Sequence, residues 1–480
     1  MGAITGDEYV ERIDRQKSEV WIDGKKVEGR ISEHPAFKGI IKTQASLYDL
    51  QHDQHKKDIL TYVSPLTGDR VGTSYLHPKT KEDLEKRRLA STEWAEASFG
   101  LLGRSPDYMN TALMTFAAAS ELFCEQEKKC GDNLLKFYEY CREQDISLTH
   151  TFVQPQVNRS EIYFEDTEEP IAARIVSKNG DGIVIKGARL LATQGGITDE
   201  ILVFPSGSFF KGLGKDDPNA YAFSIPSNQK GLKFVSRQPL NYKESRFDSP
   251  LGSRFEENDA IVIFDNVVVP WDRVFLYGNC DVAAKLYQET TFHHHAIHQT
   301  ISRQIVKTKF MLGVMQLLAE TINIHEYLHI KEKISELIVA LETMKGFLFS
   351  AEKQAKLDKW GTMTPDMNAL SAAIHYYPRV YPRFLEILQQ LGASGLVSLP
   401  TEADFRSELG EDLEKYLQSA TTGGYERVKL FRLAWDLCMS AFGSRQLQYE
   451  RYFFGDPVRL TARLYDSYPK ENFVQWVKLR

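Results

Sequence analysis

Arg104 and Tyr108 are the first side chains whose types and spacing could do chemistry. They stand four positions apart in LLGRSPDYMN, where Ser105, Pro106 and Asp107 are residues that typically begin a helix. Because side chains four apart share one face of a helix, the guanidinium and the phenol should lie together. Such a pair could bind an anion or a phenolate. From the residues alone we favour the alternative, a helix cap beside a partly buried tyrosine without a catalytic role.

A second group is the histidine run FHHHAIHQTISRQ, which contains four of the twelve histidines: His293, His294, His295 and His298. Two of them lie four apart, as metal ligands on one helix face do, but no carboxylate or cysteine stands at ligand spacing beside them. The pattern favours surface or packing histidines over a metal site. A general base in a pocket stays open, since a histidine pKa of about 6.5 suits that role.

His150, in LTHTFVQPQVNRS, stands where a helical pattern gives way to a strand-like one. A cleft could form at such a junction, but from the residues alone we favour a packing role. The sequence contains neither the glycine pattern of Rossmann or P-loop sites nor a GxSxG elbow. A bound nucleotide would therefore need another scaffold.

The elements that must position these residues change in character along the chain. Apolar residues recur at helical spacing from about residue 80 to 150, short strands with turns follow from about 160 to 276, and the helical period returns after Trp271. The clearest hairpin turns at Asn179-Gly180-Asp181-Gly182. Further strand candidates are 200–205, 220–226, 231–237 and 259–270.

Regularly spaced strands without intervening helices predict packed antiparallel sheets, and long amphipathic helices predict a bundle. Thr364, followed by Pro365, is predicted to cap one bundle helix. Another carries an apolar stripe of Ile334, Leu337, Ile338, Leu341, Met344 and Leu348. The predicted fold class is α+β, with a mainly helical domain at 1–150, a β domain at 151–276 and a helical bundle at 277–480.

Composition excludes several classes of protein. The 480 residues are 42% hydrophobic and 26% charged, so the chain can build large cores and is not a disordered, collagen-like or coiled-coil protein. A net charge of −6 offers no basic field for nucleic acid or an anionic membrane. Five cysteines without a CxxC pair fit a reducing compartment, and no apolar run is long enough to span a membrane. We expect a cytoplasmic protein.

The chain resembles the oxygenase components of the two-component, flavin-dependent 4-hydroxyphenylacetate 3-monooxygenase family over nearly its whole length. The resemblance lies in LLGRSPDYMN, THTFVQPQVNRS, LLATQGGITDEILVFPSG, FDNVVVPWDRVF and FGSRQLQYERYFFGDPVR. DGIVIKGAR and FDNVVVPWDRVF are also similar to the middle β domain of acyl-CoA dehydrogenases. The resemblance implies an acyl-CoA dehydrogenase-like fold, whose order of helices, sheets and bundle is the order predicted above.

The family implies a monooxygenase that takes FADH2 from a separate NAD(P)H:flavin reductase and uses O2 as co-substrate. Oxygen would enter the ring carbon ortho to the hydroxyl of 4-hydroxyphenylacetate or a similar phenol, giving a catechol. The protein would position the ring, raise electron density at that carbon and exclude water. The family also implies a homotetramer, or a homodimer, and no metal.

Residue by residue, Arg104, Tyr108 and His150 match the phenol-binding residues of the family, and this reverses our preference for the cap interpretation. Related chlorophenol hydroxylases take a base from the histidine segment, which we assign to His294, with His298 as second choice.

The resemblance also implies a flavin site and a site for the substrate's far end. Ser206 would lie near that far end and could bind a carboxylate tail. The residues implied to hold the flavin are Gln156, Val157, Asn158, Arg159 and Thr193 from the β domain, and Gly443, Ser444, Arg445 and Gln446 from the bundle of the same or a neighbouring subunit.

Several alternatives stay open. The substrate could be phenol, a chlorophenol or a nitrophenol, or the chain could be an acyl-CoA dehydrogenase-like flavoenzyme. A third activity on this scaffold, 4-hydroxybutyryl-CoA dehydration, needs an iron–sulfur cluster, and Arg104 and Tyr108 stand where that enzyme has two cysteines. A binding protein without catalytic activity is the non-enzyme alternative.

Overall fold

The computed structural model describes residues 2–155, 157, 170–205, 216–242 and 245–479. Helices come first, most strands follow, and helices return to the end, which confirms the α+β class. The helices, numbered in chain order, are α1 (Gly6–Gln16), α2 (Lys38–Leu50), α3 (Lys57–Leu60), α4 (Lys81–Ala97), α5 (Pro106–Ala118), α6 (Ser120–Cys124), α7 (Lys128–Gln144), α8 (Gly252–Phe255), α9 (Cys280–Glu289), α10 (Phe292–Thr321), α11 (Leu328–Lys353), α12 (Met367–Gly392), α13 (Glu402–Phe405), α14 (Gly410–Tyr416), α15 (Gly424–Cys438), α16 (Ala441–Tyr452), α17 (Pro457–Ser467) and α18 (Glu471–Lys478).

The strands are β1 (Val20–Ile22), β2 (Lys25–Lys26), β3 (Thr61–Val63), β4 (Arg70–Gly72), β5 (Leu148–Thr151), β6 (Arg174–Lys178), β7 (Gly182–Thr193), β8 (Glu200–Val203), β9 (Asp217–Pro226), β10 (Leu232–Ser236), β11 (Asp259–Pro270), β12 (Val274–Gly278), β13 (Lys356–Leu357) and β14 (Met363–Thr364). A six-stranded sheet has the order β2-β1-β10-β11-β7-β6, and a four-stranded sheet has the order β12-β9-β8-β5.

The predicted hairpin and the four further strand candidates are confirmed as β6–β7, β8, β9, β10 and β11. Ladders between strands from β6 to β12 are antiparallel, as expected. Two strands from earlier in the chain join the sheets in parallel: β1 pairs with β10, and β5 pairs with β8. The second pairing aligns His150 with Leu202 and brings the end of the N-terminal helical region into the β structure.

The chain divides into two compact units. The first consists of 1–244, 252–303 and 356–364 and contains the sheets described above. Its two larger sheets meet through buried side chains: Arg189 of β7 donates to the hydroxyl of Tyr221 of β9 at 2.7 Å, and the rings of Phe223 and Phe264 lie 6.2 Å apart. The three-domain division at residues 150 and 276 stays a prediction.

The second unit consists of 245–251, 304–355 and 365–480 and is helical. In α11 the predicted stripe is buried, except that Ile338 is 45% exposed. The predicted start of α12 is wrong by two residues. Thr364 belongs to β14, which pairs with β13, and the helix is capped by Asp366, whose side chain accepts a hydrogen bond from the Ala369 N–H at 3.1 Å.

None of the helices in the described part of the chain is long and apolar enough to cross a lipid bilayer.

Candidate active site

Arg104 and Tyr108 meet at the start of α5. Ser105 is the N-cap and Pro106 the first helical residue, as the sequence predicts, so Arg104 lies just outside the helix and Tyr108 in its first turn. The guanidinium carbon of Arg104 lies 4.4 Å from the centre of the Tyr108 ring. Arg104 is half-buried, whereas Tyr108 is buried. A cation therefore stacks on a phenol ring inside the first unit.

His150 joins this pair from β5, all four residues of which are buried. Its ring centre lies 6.0 Å from that of Tyr108, and the ring stacks on Phe152 at 4.1 Å. The structure thus brings together the three residues that the sequence assigned to the phenol. Their arrangement depends on the parallel pairing of β5 with β8.

The protonation states of this trio follow from burial. Loss of hydration, together with the nearby charge of Arg104, holds the pKa of His150 well below its usual range, so the imidazole is neutral at pH 7. Burial raises the pKa of Tyr108, and Arg104 offsets only part of that rise, so the phenol keeps its proton. Neither ring nitrogen of His150 has a hydrogen-bond partner, although the side chain is buried. An unpaired buried polar group of this kind is costly unless a ligand satisfies it.

An aromatic wall adjoins the trio and consists of Phe116, Phe152, Phe204, Tyr287 and Phe292. Phe116 stacks on Phe292 at 5.2 Å and lies 4.5 Å from Phe204. The Phe152 ring lies 6.1 Å from those of Phe204 and Tyr287. Apolar rings around a cation and an imidazole keep the local dielectric low, which strengthens electrostatic interactions there.

The histidine run occupies the first turns of α10, with His295 and His298 buried and His293 and His294 half-buried. His293 contacts the aromatic wall at Tyr287 and Phe292, with ring centres 5.7 and 5.4 Å apart. Neither ring nitrogen of His295 has a partner, and burial together with Arg87 lowers its pKa well below the usual range. The assignment of a base to His294 or His298 stays a prediction.

Metal binding was the other interpretation of this run. Within the described ranges, no group of three or more His, Cys, Asp or Glu side chains is arranged to hold a metal ion.

Of the flavin-binding residues assigned to the β domain, Thr193 and Val157 are described, whereas Gln156, Asn158 and Arg159 lie outside the described residues. The Thr193 hydroxyl donates to Asp259 at 2.8 Å, so only its lone pairs are available to a further partner. Val157 is 54% exposed. The side-chain nitrogen of Gln154 is buried without a partner, next to the predicted flavin segment. The edge of a flavin carries both N–H and carbonyl groups. These groups fit the Thr193 oxygen as an acceptor and the Gln154 side-chain nitrogen as an unpaired donor.

The remaining flavin-binding candidates lie in the second unit, at the start of α16. Gly443 is buried, and a Cβ there would lie 2.5 Å from the Leu437 carbonyl oxygen, so only glycine fits. The Gln446 side chain is buried and accepts a hydrogen bond from Lys307 at 2.6 Å. Ser444 is exposed, and Arg445 lies over the ring of Tyr449. Their role toward a flavin stays a prediction.

The predicted tail-binding residue Ser206 also lies outside the described residues. The residue before it is tied to the aromatic wall, because the Tyr287 hydroxyl donates to the Pro205 carbonyl at 3.0 Å. The assignment of Ser206 to the far end of the substrate stays a prediction.

Three buried residues that the sequence analysis did not single out contact the backbone at Arg104: Gln44, Gln194 and Glu257. Glu257 lies in FEENDA, a charged stretch before a strand that resembles an exposed turn. Nothing in the sequence indicates which backbone groups it meets. The only available signal for a buried role of Glu257 is the presence of an acidic residue in this stretch without an evident function.

Comparison with known proteins covers both halves of the chain. Residues 5–276 match the family model described as 4-hydroxyphenylacetate 3-hydroxylase N terminal, and residues 283–479 match the corresponding C-terminal model. The chain is 51% identical over 478 residues to a probable 4-hydroxyphenylacetate 3-monooxygenase of Bacillus subtilis (strain 168), covering 100% of this chain and 98% of that protein.

Two further comparisons agree. The 4-hydroxyphenylacetate 3-monooxygenase oxygenase component of Geobacillus sp. (strain PA-9) is 50% identical over 479 residues, covering 100% of this chain and 96% of that protein. A crystal structure of an oxygenase component of 4-hydroxyphenylacetate 3-monooxygenase with FAD and 4-hydroxyphenylacetate superposes with a TM-score of 0.93 at 44% identity, covering 99% of this chain and 98% of that one.

The fold, the cluster of Arg104, Tyr108 and His150 beside the aromatic wall, and these matches together define a flavin-dependent monooxygenase. The chain belongs to the 4-hydroxyphenylacetate 3-hydroxylase family, which confirms the resemblance stated from the sequence.

Proposed function

We propose that this protein is the oxygenase component of a two-component 4-hydroxyphenylacetate 3-monooxygenase. It uses FADH2 and O2 to place a hydroxyl group on the ring carbon ortho to the phenol oxygen, giving a catechol. The observation that carries this proposal is the trio of half-buried Arg104 with buried Tyr108 and His150, in which the cation lies 4.4 Å from the tyrosine ring and the imidazole is unpaired.

Arg104 is the residue that activates the phenol. Lowering a phenol pKa from about 10 to about 7 requires roughly 4 kcal/mol in favour of the phenolate. A unit charge at about 4 Å supplies roughly that amount at an effective dielectric constant of about 20. The phenolate is the electron-rich form that accepts oxygen at the ortho carbon, so charge stabilisation by Arg104 raises the rate of the hydroxylation step.

Tyr108 and His150 complete the site for the phenol oxygen. The Tyr108 phenol keeps its proton and can donate a hydrogen bond to that oxygen. The neutral imidazole of His150 has one N–H donor and one acceptor nitrogen, so it can bind either the phenol or the phenolate. The aromatic wall packs against the apolar part of the ring and limits the access of water.

FAD is the cofactor, and this chain would bind it at the end of β7 and the start of the segment after β5. Thr193 offers an acceptor to a flavin N–H, and Gln154 offers a donor to a flavin carbonyl or ring nitrogen. When bound, reduced FAD supplies the electrons that activate O2. We keep the other assigned flavin contacts, Gln156, Val157, Asn158 and Arg159 of the β domain and Gly443, Ser444, Arg445 and Gln446 of the bundle, as part of the proposal.

The finer assignments of substrate and base are also proposals. Ser206 would hold the carboxylate tail of 4-hydroxyphenylacetate, and His294 would act as a base near the ring. Phenol, chlorophenols and nitrophenols would occupy the same anchor without that tail contact.

The rival activities lack support in this site. An iron–sulfur cluster needs cysteine ligands, and Arg104 and Tyr108 occupy the positions at which the dehydratase has them. Acyl-CoA dehydrogenation does not form a phenolate, whereas hydroxylation of a phenol gains from a positive charge near its oxygen, which Arg104 can supply. A binding protein without catalytic activity would give no hydroxylated product with any phenol, and product analysis tests this.

An oxygenase component works with a separate reductase, and we propose that an NAD(P)H:flavin reductase supplies FADH2 to this chain in the cytoplasm. We also propose that the chain forms a homotetramer or a homodimer. Helices α17 and α18 carry exposed apolar side chains that another subunit could cover. These are Val458, Tyr465, Phe473, Trp476 and Val477.

The test is product analysis with a generic flavin reductase, NADH, FAD and O2 over a panel of para-substituted phenols. We expect a catechol from 4-hydroxyphenylacetate in amounts close to the NADH consumed. Peroxide alone with every phenol would refute the hydroxylase. Efficient hydroxylation of phenols without a tail, but not of 4-hydroxyphenylacetate, would replace the substrate and keep the reaction class.

A further inference from the structure

The backbone at Arg104 is held on both sides by buried side chains from three separate segments. The Glu257 carboxylate accepts the N–H of Gly103 at 2.8 Å and that of Arg104 at 2.6 Å. On the other side, the Arg104 carbonyl accepts the side-chain amides of Gln44 at 2.9 Å and Gln194 at 3.0 Å. The Gly103 carbonyl accepts from the Arg104 guanidinium itself at 3.0 Å, so each backbone donor and acceptor of these two residues has a partner.

The location of Arg104 explains why such a clamp matters. Arg104 precedes the N-cap of α5, so its backbone is not fixed by helical hydrogen bonds. An arginine side chain loses substantial rotamer entropy when it is held in one geometry. Fixing its peptide groups limits the positions from which the guanidinium can reach the phenol oxygen.

The two principal clamp residues are themselves held in place. Glu257 and Gln194 are 1% and 4% exposed, and the Gln194 amide also lies 3.3 Å from the Glu257 carboxylate. Arg237 donates to the Glu257 carbonyl at 2.9 Å and to the Asp259 carboxylate at 3.0 Å.

Gln194 adopts a left-handed backbone conformation with φ of 63°. This conformation is unfavourable for a residue with a Cβ, and it persists only where the surroundings determine it. Its N–H donates to the Asn258 carbonyl at 2.8 Å, which ties the strained residue to the segment that carries Glu257. The strain is therefore located at the residue whose side chain reaches Arg104.

We propose that Glu257 and Gln194 are positioning residues for Arg104 and thereby set how strongly the site favours the phenolate. This proposal rests on the proposed function, because it takes Arg104 as the phenol anchor. Neither residue needs to touch the substrate or the flavin. Their effect should therefore appear in the pKa of the bound phenol and not in flavin affinity.

The test uses the full-length protein loaded with FADH2 under argon, so that no turnover occurs. 4-Hydroxyphenylacetate is titrated in, and the ultraviolet difference spectrum of its phenolate gives both its dissociation constant and its pKa when bound. Glu257→Gln keeps the shape of the side chain but presents an N–H to one of the two backbone N–H groups. We expect its dissociation constant to rise about 10-fold or more, with the bound phenol pKa moving toward that of the free phenol.

Gln194→Gly is a second variant, which tests the proposal independently if the Glu257→Gln protein fails to fold. Glycine suits a positive φ, so the change removes the side-chain contact to Arg104 without straining the backbone. We expect the same direction of change in the phenol pKa, with FADH2 affinity unchanged. Glu143→Gln is the matched control, since Glu143 is also a buried carboxylate of the first unit but pairs with Arg142, and it should leave the phenol pKa unchanged.

The outcomes separate this inference from the proposed function. If Arg104→Met changes the bound phenol pKa while Glu257→Gln and Gln194→Gly do not, the clamp is refuted and the phenol anchor stands. If Arg104→Met has no effect, the proposed function fails first. Equal shifts in the Glu143→Gln control would mean that general loosening of the first unit, and not a directed contact, moves the phenol pKa, which also overturns the inference.

Discussion

Replacing Arg104 by methionine removes the charge that the proposed mechanism requires and keeps most of the side-chain volume. The guanidinium carbon lies 4.4 Å from the Tyr108 ring centre. Full interaction with a phenolate at about 4 Å would be worth roughly 4 kcal/mol, or about three pKa units. Because Arg104 is half-buried, water screens part of this interaction, and we expect a rise of about two units in the pKa of the bound phenol.

The assay is the phenolate difference spectrum of bound 4-hydroxyphenylacetate between pH 6 and pH 9, with FADH2 present and oxygen absent. Protein tyrosines have pKa values of about 10 or above and contribute little in that range. With oxygen present, the variant should still oxidise FADH2 but release peroxide in place of the catechol. Arg104→Lys is the control, because it keeps a charge and loses the planar contact. An unchanged phenol pKa in Arg104→Met would refute our account of the site.

Four further changes test other parts of the structure. Tyr108→Phe should lower kcat/KM by about 10- to 100-fold through loss of one hydrogen bond to a charged acceptor, with Tm unchanged; an unaltered kcat/KM would remove Tyr108 from the site. Thr193→Val should weaken FADH2 binding in an anaerobic titration more than Thr193→Ser does, and equal affinities would contradict the assigned flavin contact. The pKa of His295 in the folded protein lies well below about 6.5, so the unfolded chain takes up the proton first as the pH falls. The free energy of unfolding should therefore fall by up to about 1.4 kcal/mol per pH unit below pH 6.5. His295→Gln should reduce this dependence of stability on pH. Urea unfolding at several pH values, at one protein concentration, measures this slope, and an identical slope in the variant would contradict it. Lys307→Met should destabilise the second unit by about 3–5 kcal/mol, because it leaves the Glu450 carboxylate, 0% exposed, without its cation. In denaturant unfolding, the double variant with Glu450→Gln should recover part of that loss. A double variant no more stable than Lys307→Met would contradict this explanation.

The fold could be predicted in outline because its main signals are local. The turn residues at 179–182 and the alternation of β11 fix strands without reference to the rest of the chain. The parallel partners β1 and β5 could not be predicted in this way, since a short apolar stretch does not indicate which sheet edge it joins. At α12, Thr364 and Asp366 are both acceptable caps, and the pairing of β14 with β13 decided between them.

The site could be predicted from sequence only in part. Ser105 and Pro106 are local start signals, so the proximity of Arg104 and Tyr108 was accessible from their spacing, even though Arg104 lies before the helix and not in it. The junction of helix and strand patterns singled out His150, but its grouping with Arg104 and Tyr108 came from the family resemblance, because its position depends on long-range strand pairing. Glu257 was not found: side-chain contacts to backbone N–H groups leave no pattern in a sequence, and a buried carboxylate looks like a surface residue until its partners are known.

The structure also decides a question of charge that residue types alone left open. An arginine and a histidine in one pocket could present two positive charges, but burial and the charge of Arg104 keep His150 neutral. The buried Tyr108 keeps its proton, so the trio carries a single positive charge. One phenolate balances that charge, whereas a neutral phenol leaves the half-buried guanidinium without a counter-charge from its ligand. Binding therefore favours loss of the phenol proton, because Arg104 both stabilises the phenolate and thereby activates the ring. A second positive charge on His150 would have no negative charge on the ligand to balance it.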